Sequence, residues 1–489
     1  MVLALSNFMV VLDLTIANVS IPHIAGNLGI SLDQGTWVIT SYAVAEAICV
    51  PLTGWLAQRF GVVKMFMGAM IGFGAFSLLC GSSLSLGMLV VCRIGQGLCG
   101  GPIMPMSQTL MSRVVPPEGR GRAMGVWAMT TTAAPAIGPI LGGYISDNWS
   151  WHWIFLINVP IAAGCTAAAF ALLRPAETLT RKVPIDKVGL ALLVFWIGCL
   201  QVMLDIGRDR DWFGDAMILV LALLAGIGFT AFIIWELTDD HPVVDLRVFR
   251  YPAFSFGVAT MALVFGAFFS SVVLVPQFLQ TSLGYSAAKA GFITALSAVS
   301  SVMAAPFAAR FMSRMDARIL ISAGVVWLGL MALMRAGWTS GTDSFHLALP
   351  LALQGFAMPF MLIPITSASL AAVQPQETAS AAGLQNFVRT MAVAISTSVV
   401  LTIWADSQRV ARSEIVSKLQ PDGAMAQLSR LGMGADQSRQ ILSNIVEQEA
   451  VALAVDHAFL LTALLMFGAA TLVWLMPRPK IPGGPVATH

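Results

Sequence analysis

Fourteen apolar stretches run through the 489 residues, and each is long enough to cross a lipid bilayer. A membrane-spanning helix needs about 20 predominantly apolar residues. The stretches, numbered here as spans 1 to 14, cover residues 2–25, 36–57, 63–83, 86–111, 122–145, 152–173, 187–207, 215–238, 254–280, 289–309, 318–337, 345–372, 379–404 and 457–476. They predict an all-α polytopic membrane protein.

The composition indicates that lipid is the solvent of this chain. Hydrophobic residues make up 57% and charged residues 11%, with a mean hydropathy of +0.80, whereas a soluble domain carries about 25% charged residues. Most Lys and Arg lie in every second gap between spans, and basic loops stay on the cytoplasmic side of a membrane. This alternation predicts that both termini face the cytoplasm. The net charge of +2 does not indicate nucleic-acid binding.

A weak internal repeat relates the two halves of the sequence. NLGIS at 27–31 resembles SLGYS at 282–286, and LAQRF at 56–60 resembles FAARF at 307–311, at an offset of about 255 residues. The offset pairs spans 1–6 with spans 9–14. The predicted units are an N-terminal six-helix bundle, a two-span insert with its flanking loops, and a C-terminal six-helix bundle, covering 1–173, 174–250 and 251–489. Parallel repeats of this kind are typical of transporters that work by alternating access.

The long outward segment 405–456 is more polar than the spans around it. Within it, Ile441, Ile445 and Val446 recur at helical spacing. The segment is either a solvated helical hairpin or a docking surface for a partner outside the membrane, because an exposed apolar stripe is costly unless something covers it.

Four ionisable residues lie well inside predicted spans, where burying a charge costs at least about 2.5 kcal/mol. Asp13, Glu46 and Arg389 fall near the middle of spans 1, 2 and 13, and Arg93 lies nearer the outer end of span 4. Two acids and two bases can pair for purely structural reasons. Alternatively, they form a proton- and substrate-binding site, in which desolvation and a neighbouring Arg act in opposite directions on a carboxyl group.

Two further acids are expected to have a different role. Asp205 and Glu236 fall near the ends of spans 7 and 8, where we expect solvated charges at the membrane interface.

Span 5 combines small residues with two prolines. Small residues at four-residue spacing let helices approach closely, and prolines remove backbone donors and permit a bend. We predict a gating hinge formed by Pro135, Gly138, Pro139, Gly142 and Gly143.

Motifs of enzymatic chemistry are missing from the sequence. It contains no GxxxxGK[ST] phosphate loop, and no HExxH, CxxC or GxSxG. Gly95, Gly97 and Gly100 match GxGxxG, but they lie inside span 4 with no strand before them, which indicates helix packing. The six His are scattered and the six Cys all lie in apolar spans. We therefore expect no enzyme activity, no cofactor and no metal site, with energy drawn from an ion gradient.

Several motifs resemble the major facilitator superfamily, and within it the fourteen-span drug:proton antiporters of the EmrB and QacA type. VLDLTIANVSIP at 11–22 resembles the span 1 motif and places its acid at Asp13, LVVCRIGQGLCGG at 89–101 resembles the span 4 motif with Arg93, and APAIGPILGG at 134–143 resembles the antiporter motif of span 5. YISDNWSWHWIFLINVP at 144–160 and NFVRT at 386–390 are similar to the EmrB type in particular.

GWLAQRFGVVK at 54–64 resembles the superfamily signature between spans 2 and 3, and its signature residues are Gly54, Gln58, Arg59, Gly61 and Lys64. The family pattern carries an Asp where this chain has Gln58 and a basic residue where it has Val62. This departure puts an acid-based latch at the cytoplasmic gate in doubt.

The resemblance implies the major facilitator fold, in which two six-span bundles are joined here by two inserted spans. It also implies a bacterial inner-membrane exporter that moves lipophilic small molecules outward in exchange for protons, together with a periplasmic adaptor and an outer-membrane channel. An exporter of one dedicated metabolite, such as a siderophore, is the alternative within transport. A membrane receptor or scaffold without transport activity would require the buried charges to be purely structural.

Overall fold

The computed structural model describes residues 1–181, 184–207, 210–312, 314–339, 341–418 and 434–477. Every predicted span is helical. The helices are, in order of span, Val2–Leu28; Leu32–Cys49 and Thr53–Phe60; Val62–Cys80; Leu86–Gly100 and Ile103–Val114; Pro117–Asn148; Trp153–Leu156 and Asn158–Leu172; Lys187–Ile206; Ala216–Thr238; Pro252–Thr281; Ala287–Met312; Ala317–Arg335; Ser344–Ala371; Thr378–Lys418; and Ala435–Leu472.

Twelve helices in the described part of the chain are long and apolar enough to cross a membrane. Span 2 adds a pair of helices, Gln34–Cys49 and Thr53–Phe60, that bend by 61° where Pro51 interrupts the chain. Span 5 is a single helix of 32 residues, Pro117–Asn148, and is about 48 Å long at 1.5 Å per residue. Its Thr, Ala and Gly residues make it less apolar than the others. The structure thus agrees with the prediction of an all-α polytopic membrane protein.

Helix contacts connect each half of the chain internally and then join the halves. Span 1 packs on spans 2, 5 and 6, and span 4 packs on spans 2 and 3. In the second half, span 12 lies between spans 10 and 11, and span 14 contacts spans 9, 11 and 13. The halves meet where span 5 runs along span 10 and where span 13 contacts spans 2 and 4.

The two inserted spans pack on each other and on the seam between the halves. Span 7 contacts span 2 on one side and span 13 on the other. Trp196 of span 7 lies in an apolar cluster with Ala47 of span 2 and Leu384 of span 13, and its ring centroid is 6.0 Å from that of Phe387. The insert therefore covers the line where spans 2 and 13 meet. The unit boundaries at 173 and 250 stay a prediction.

The predicted outward loop is largely helical, because the helices of spans 13 and 14 extend well beyond the apolar stretches. Residues 419–433 of this loop lie outside the described residues. Glu447 links the two extensions: Gln408 donates a hydrogen bond of 2.5 Å to Glu447 Oε1, and Arg412 Nε lies 3.7 Å from Oε2.

The three apolar residues of this loop do not share one exposed face. Val446 is buried and Ile441 half-buried, whereas Ile445 is 49% exposed. These three residues therefore do not form a continuous exposed stripe, and only Ile445 is available to a partner. Ile441 and Ile445 are four residues apart and lie on one side of the helix. Val446 follows Ile445 directly, so its side chain points to a different side, which is packed.

Candidate functional site

Asp13 is completely buried in span 1 and its carboxylate accepts hydrogen bonds from three side chains. Arg93 Nη1 of span 4 lies 2.5 Å from Asp13 Oδ2. Asn158 Nδ2 of span 6 donates to Oδ1 at 2.7 Å, and Gln96 Nε2 of span 4 donates to the same oxygen at 3.0 Å. Charge-assisted hydrogen bonds of this kind are about twice as strong as neutral ones. Both carboxylate oxygens are therefore occupied without any contact with solvent.

Arg93 has further partners besides Asp13. Its Nε donates to the Val38 carbonyl at 3.0 Å, and its Nη1 also donates to Gln96 Oε1 at 2.9 Å. The guanidinium carbon lies 4.2 Å from the ring centroid of Tyr42 and 5.5 Å from that of Phe155, within the range of cation–π attraction. These contacts stabilise the positive charge even when the carboxylate is not counted.

A second ring of polar groups ties this pair to span 3. Ser77 Oγ accepts from Gln96 Nε2 at 3.1 Å and from Asn158 Nδ2 at 3.2 Å, and donates to the Phe155 carbonyl at 2.9 Å. The network thus joins spans 1, 3, 4 and 6 at one point.

Sequence reasoning placed Asp13 and Arg93 here but missed Gln96, Asn158 and Ser77 as members of the site. Gln96 and Asn158 both lie inside runs quoted for the family resemblance, so their polarity within a span was the available signal. Ser77 carried no such signal, since Ser in a membrane helix usually bonds to its own backbone.

Close packing accounts for the glycine run of span 4. A Cβ placed on Gly97 would lie 2.5 Å from the Tyr42 carbonyl oxygen, and one on Gly101 would lie 2.9 Å from that of Glu46. The small residues bring span 4 against span 2, which aligns Arg93 with Tyr42 and Val38.

Glu46 and Arg389 do not join the first pair. Both are largely buried, at 8% and 9% exposure. They do not form an ion pair within 4.0 Å among the described residues. The Arg389 guanidinium contacts the Met104 sulfur and lies 5.3 Å from the Phe265 ring centroid. Arg389 thus faces methionine and aromatic side chains, whereas the pair of Asp13 and Arg93 lies among amides and hydroxyls.

The small residues of span 5 face span 1, which carries Asp13. A Cβ on Gly142 would lie 2.8 Å from the Ile16 carbonyl oxygen, and one on Gly138 would lie 3.2 Å from the Ile16 nitrogen as well as against Thr15. Gly143 is less tightly packed, because its nearest neighbour would be Val19 Cγ1 at 3.9 Å. Pro135 and Pro139 lie inside an unbroken helix. Because span 5 also packs along span 10, it lies between span 1 and span 10.

The loop signature lies at the end of span 2, where this half meets span 13. Gly54 is buried against Ser380 of span 13, and Arg59 lies 5.5 Å from the Trp55 ring centroid. Gln58 is exposed and its carbonyl accepts from the Arg181 N–H at 2.9 Å.

An acid from outside the signature caps the start of span 3. Gly61 has a positive φ of 86°, a conformation that glycine adopts readily. Directly after it, the N–H groups of Val63 and Lys64 each donate to the Glu177 carboxylate at 3.0 Å. Exposed helix N–H groups and the helix dipole both favour such a negative charge. Glu177 thus stabilises this loop from the segment that follows span 6.

One of the two interfacial acids differs from the expectation. Asp205 is exposed, but Glu236 is completely buried, so its expected solvation is wrong. The segment after span 8 folds back, and the Val244 N–H donates to Glu236 Oε2 at 3.0 Å. The chain itself shields this carboxyl group from solvent.

The described residues contain no group of His, Cys, Asp and Glu suited to a metal ion, and all six cysteines are free thiols. The helices are long enough to cross a membrane, and they surround a buried, hydrogen-bonded ion pair where spans 1, 3, 4 and 6 meet. These features define a polytopic membrane protein with a polar site between its helices.

Comparison with known proteins identifies the family. A model of the Major Facilitator Superfamily matches residues 3–397. The chain is similar to the multidrug export protein EmrB of Escherichia coli strain K12, with 41% identity over 488 residues, 99% of this chain and 95% of that protein. It is also similar to the fatty acid resistance protein FarB of Neisseria gonorrhoeae, with 38% identity over 487 residues, 99% of this chain and 96% of that one.

Among solved structures, the human organic anion transporter MFSD10 (TETRAN) has a TM-score of 0.60 and 16% identity, covering 95% of this chain and 98% of that chain; at this identity the likeness concerns the fold alone. The chain belongs to the major facilitator superfamily, and its fold class is the one that the span 1, span 4 and span 5 motifs indicated.

Proposed function

We propose that this protein is a secondary active exporter that moves lipophilic small molecules out of the cell in exchange for protons. The observation that carries the proposal is the ion pair of Asp13 and Arg93, sealed inside membrane-spanning helices from four different parts of the sequence. Ionisable residues at such positions are expensive and mark functional sites by default.

The geometry supports a specific role for each member of the pair. Asp13 is the proton-binding group. Protonation removes the negative charge of Asp13, so the ion pair with Arg93 is lost. Arg93 then keeps the Val38 carbonyl and the Gln96 amide oxygen as acceptors and remains beside the Tyr42 ring. Separating a buried pair costs about 3–5 kcal/mol, so protonation of Asp13 favours any rearrangement that moves spans 1 and 4 apart.

Span 5 passes this rearrangement to the other half of the protein. Gly138 and Gly142 hold span 5 against span 1, and the opposite side of the same helix contacts span 10. A shift of span 1 therefore displaces span 5 and alters the contact between halves. The prolines at 135 and 139 leave carbonyls without their usual donors, which lowers the cost of bending at that point.

The substrate region we propose lies between the halves, at Glu46, Arg389, Met104 and Phe265. Methionine adapts its shape to different ligands, and the two charges orient polar parts of a lipophilic molecule. The names of the relatives EmrB and FarB, which refer to multidrug export and fatty acid resistance, support an exporter of several lipophilic compounds.

The proposed location is the bacterial inner membrane, with both termini in the cytoplasm, on the basis of the Lys and Arg distribution. By resemblance to EmrB, the partners are a periplasmic adaptor and an outer-membrane channel, which would meet the outward helical hairpin.

Asp13→Asn tests the proposal in liposomes containing purified protein. The amide keeps the size and most of the hydrogen bonding of the carboxylate but cannot titrate, so substrate-driven proton release should be abolished. Asp147→Asn, at an exposed position at the outer end of span 5, is the matched control and should behave as wild type. Wild-type exchange by Asp13→Asn would contradict the coupling role. A response to only one compound of a varied panel would favour the dedicated exporter.

A further inference from the structure

A groove of about 430 Å³ opens on the outer surface of the first half, between spans 1, 5 and 6. Its walls include Leu5 and Phe8 of span 1, Val126 and Thr130 of span 5, and Gly164 of span 6. The volume falls within the range of about 300–1,000 Å³ that is usual for ligand sites. Leu5 is 46% exposed, so the groove is open to the side, where lipid surrounds the protein.

Apart from Ile161, small side chains line the span 6 wall. A Cβ added at Gly164 would meet nothing within 4 Å, so the groove reaches the helix backbone at this residue. Pro160 and Ala168 lie one turn to either side and also line the space. The walls are nearly all apolar, which suits a hydrocarbon chain and excludes a polar solute.

A basic side chain lies one helical turn from one wall of the groove. Arg122, Val126 and Thr130 follow one another at four-residue steps, so they lie along one face of span 5. Arg122 is exposed and lies one helical turn below Val126, on the side of the basic loops. Among the described residues it forms no ion pair with a carboxylate. An apolar groove beside an exposed guanidinium matches an acyl chain joined to an anionic head group.

We propose that this groove binds one anionic phospholipid of the cytoplasmic leaflet, with an acyl chain between spans 1, 5 and 6 and the phosphate at Arg122. The orientation follows the one proposed above, but lipid binding itself is independent of transport. The bound lipid packs against span 1, which carries Asp13, and against span 6, and thus stabilises one packing of these helices.

Native mass spectrometry tests this proposal. The purified protein is placed in nanodiscs of phosphatidylcholine mixed with phosphatidylglycerol, and the lipid molecules that stay bound after its release from the nanodiscs are counted. Wild type should retain one phosphatidylglycerol in preference to phosphatidylcholine. Gly164→Leu should fill the groove without a clash and abolish this retention. Gly226→Leu, at an exposed glycine of span 8 that also has open space around it, is the matched control and should retain the lipid.

The head group is tested with a second pair of variants. Arg122→Gln should weaken phosphatidylglycerol binding about fivefold, the effect expected of one basic residue at an anionic surface. Arg120→Gln removes an exposed charge two residues away, on another face of the helix, and should have no such effect. Equal retention by Gly164→Leu and Gly226→Leu would overturn the proposal, as would equal retention of phosphatidylcholine and phosphatidylglycerol by wild type. A change of oligomeric state in Gly164→Leu alone would instead assign the groove to a second copy of the chain.

Discussion

The amide of Asn158 donates a hydrogen bond of 2.7 Å to Asp13 Oδ1, although 145 positions separate the two residues in the sequence. Asn158 begins the longer helix of span 6, where its side chain turns toward span 1. It holds the carboxylate in place opposite Arg93. Asn158 is therefore a positioning residue for the proposed proton site.

Replacing Asn158 by Leu should lower substrate-driven proton exchange by roughly 10- to 100-fold, since a hydrogen bond to a charged group contributes about 1.5–3 kcal/mol. Exchange in liposomes is the measurement, with its dependence on pH recorded alongside, because a merely structural role would leave the shape of that dependence unchanged. Asn148→Leu, at an exposed position of span 5, should leave exchange unaffected. Identical pH profiles for Asn158→Leu and wild type would count against the positioning role.

Arg93→Gln should destabilise the protein by about 3–5 kcal/mol, because it leaves the Asp13 carboxylate buried without its cation. The double variant Asp13→Asn with Arg93→Gln should recover most of this stability and still fail to exchange protons. Thermal unfolding in detergent measures the first effect and liposome exchange the second. Recovery of exchange by the double variant would mean that the pair is purely structural.

Gly142→Ala and Gly143→Ala should differ sharply although the residues are neighbours. The added methyl group at 142 would lie 2.8 Å from the Ile16 carbonyl oxygen, a backbone atom that cannot move aside, whereas at 143 its nearest neighbour lies at an ordinary 3.9 Å. We expect transport to fall at least tenfold in Gly142→Ala and to stay near wild type in Gly143→Ala. Gly142→Leu should stop transport. Similar transport by both alanine variants would argue against close packing of spans 1 and 5 as a requirement.

Glu177→Ala should lower the free energy of unfolding by about 1–2 kcal/mol, the usual cost of losing an acid that caps a helix N-terminus. Glu177→Gln should recover part of this loss, because the amide oxygen still accepts hydrogen bonds from the backbone of span 3. Unfolding temperature is the measurement, and Asp240→Ala, at an exposed acid, is the control. An unchanged unfolding temperature in Glu177→Ala would show that the cap does not stabilise the loop.

Ile445→Ser and Val446→Ser separate docking from folding in the outward hairpin. Ile445 is exposed, so its replacement should reduce resistance in whole cells but spare exchange by the purified protein if a partner covers this surface. Val446 is buried, and its replacement should lower the unfolding temperature and both activities together. Full resistance in cells that express Ile445→Ser would remove this residue from any docking surface.

The sequence predicted the spans reliably because a long apolar run has few alternatives in a bilayer. It also placed Asp13 and Arg93, since a charge inside an apolar run is conspicuous. The partners were harder: Gln96, Ser77 and Asn158 come from three spans, and which faces of those helices meet is decided by tertiary packing.

Glu236 is a residue whose environment the sequence predicted wrongly. Its position near a span end indicated solvent, but the chain after span 8 folds back over it and supplies a backbone donor. Depth along a span can be read from residue number. Shielding by a later segment depends on how that segment packs, which residue spacing does not encode.

The position of the inserted spans makes the two sides of the protein unequal. Span 7 covers the line between spans 2 and 13 with Trp196 and its apolar neighbours, whereas in the described part of the chain neither inserted span packs closely on the line between spans 5 and 10. If the two halves tilt apart at spans 2 and 13, span 7 must stay with one half and lose its contact with the other. If they tilt apart at spans 5 and 10, span 7 keeps both contacts. The two flanks therefore present different surfaces to a lipophilic molecule in the membrane: the insert walls one of them, and helices of the two halves form the other.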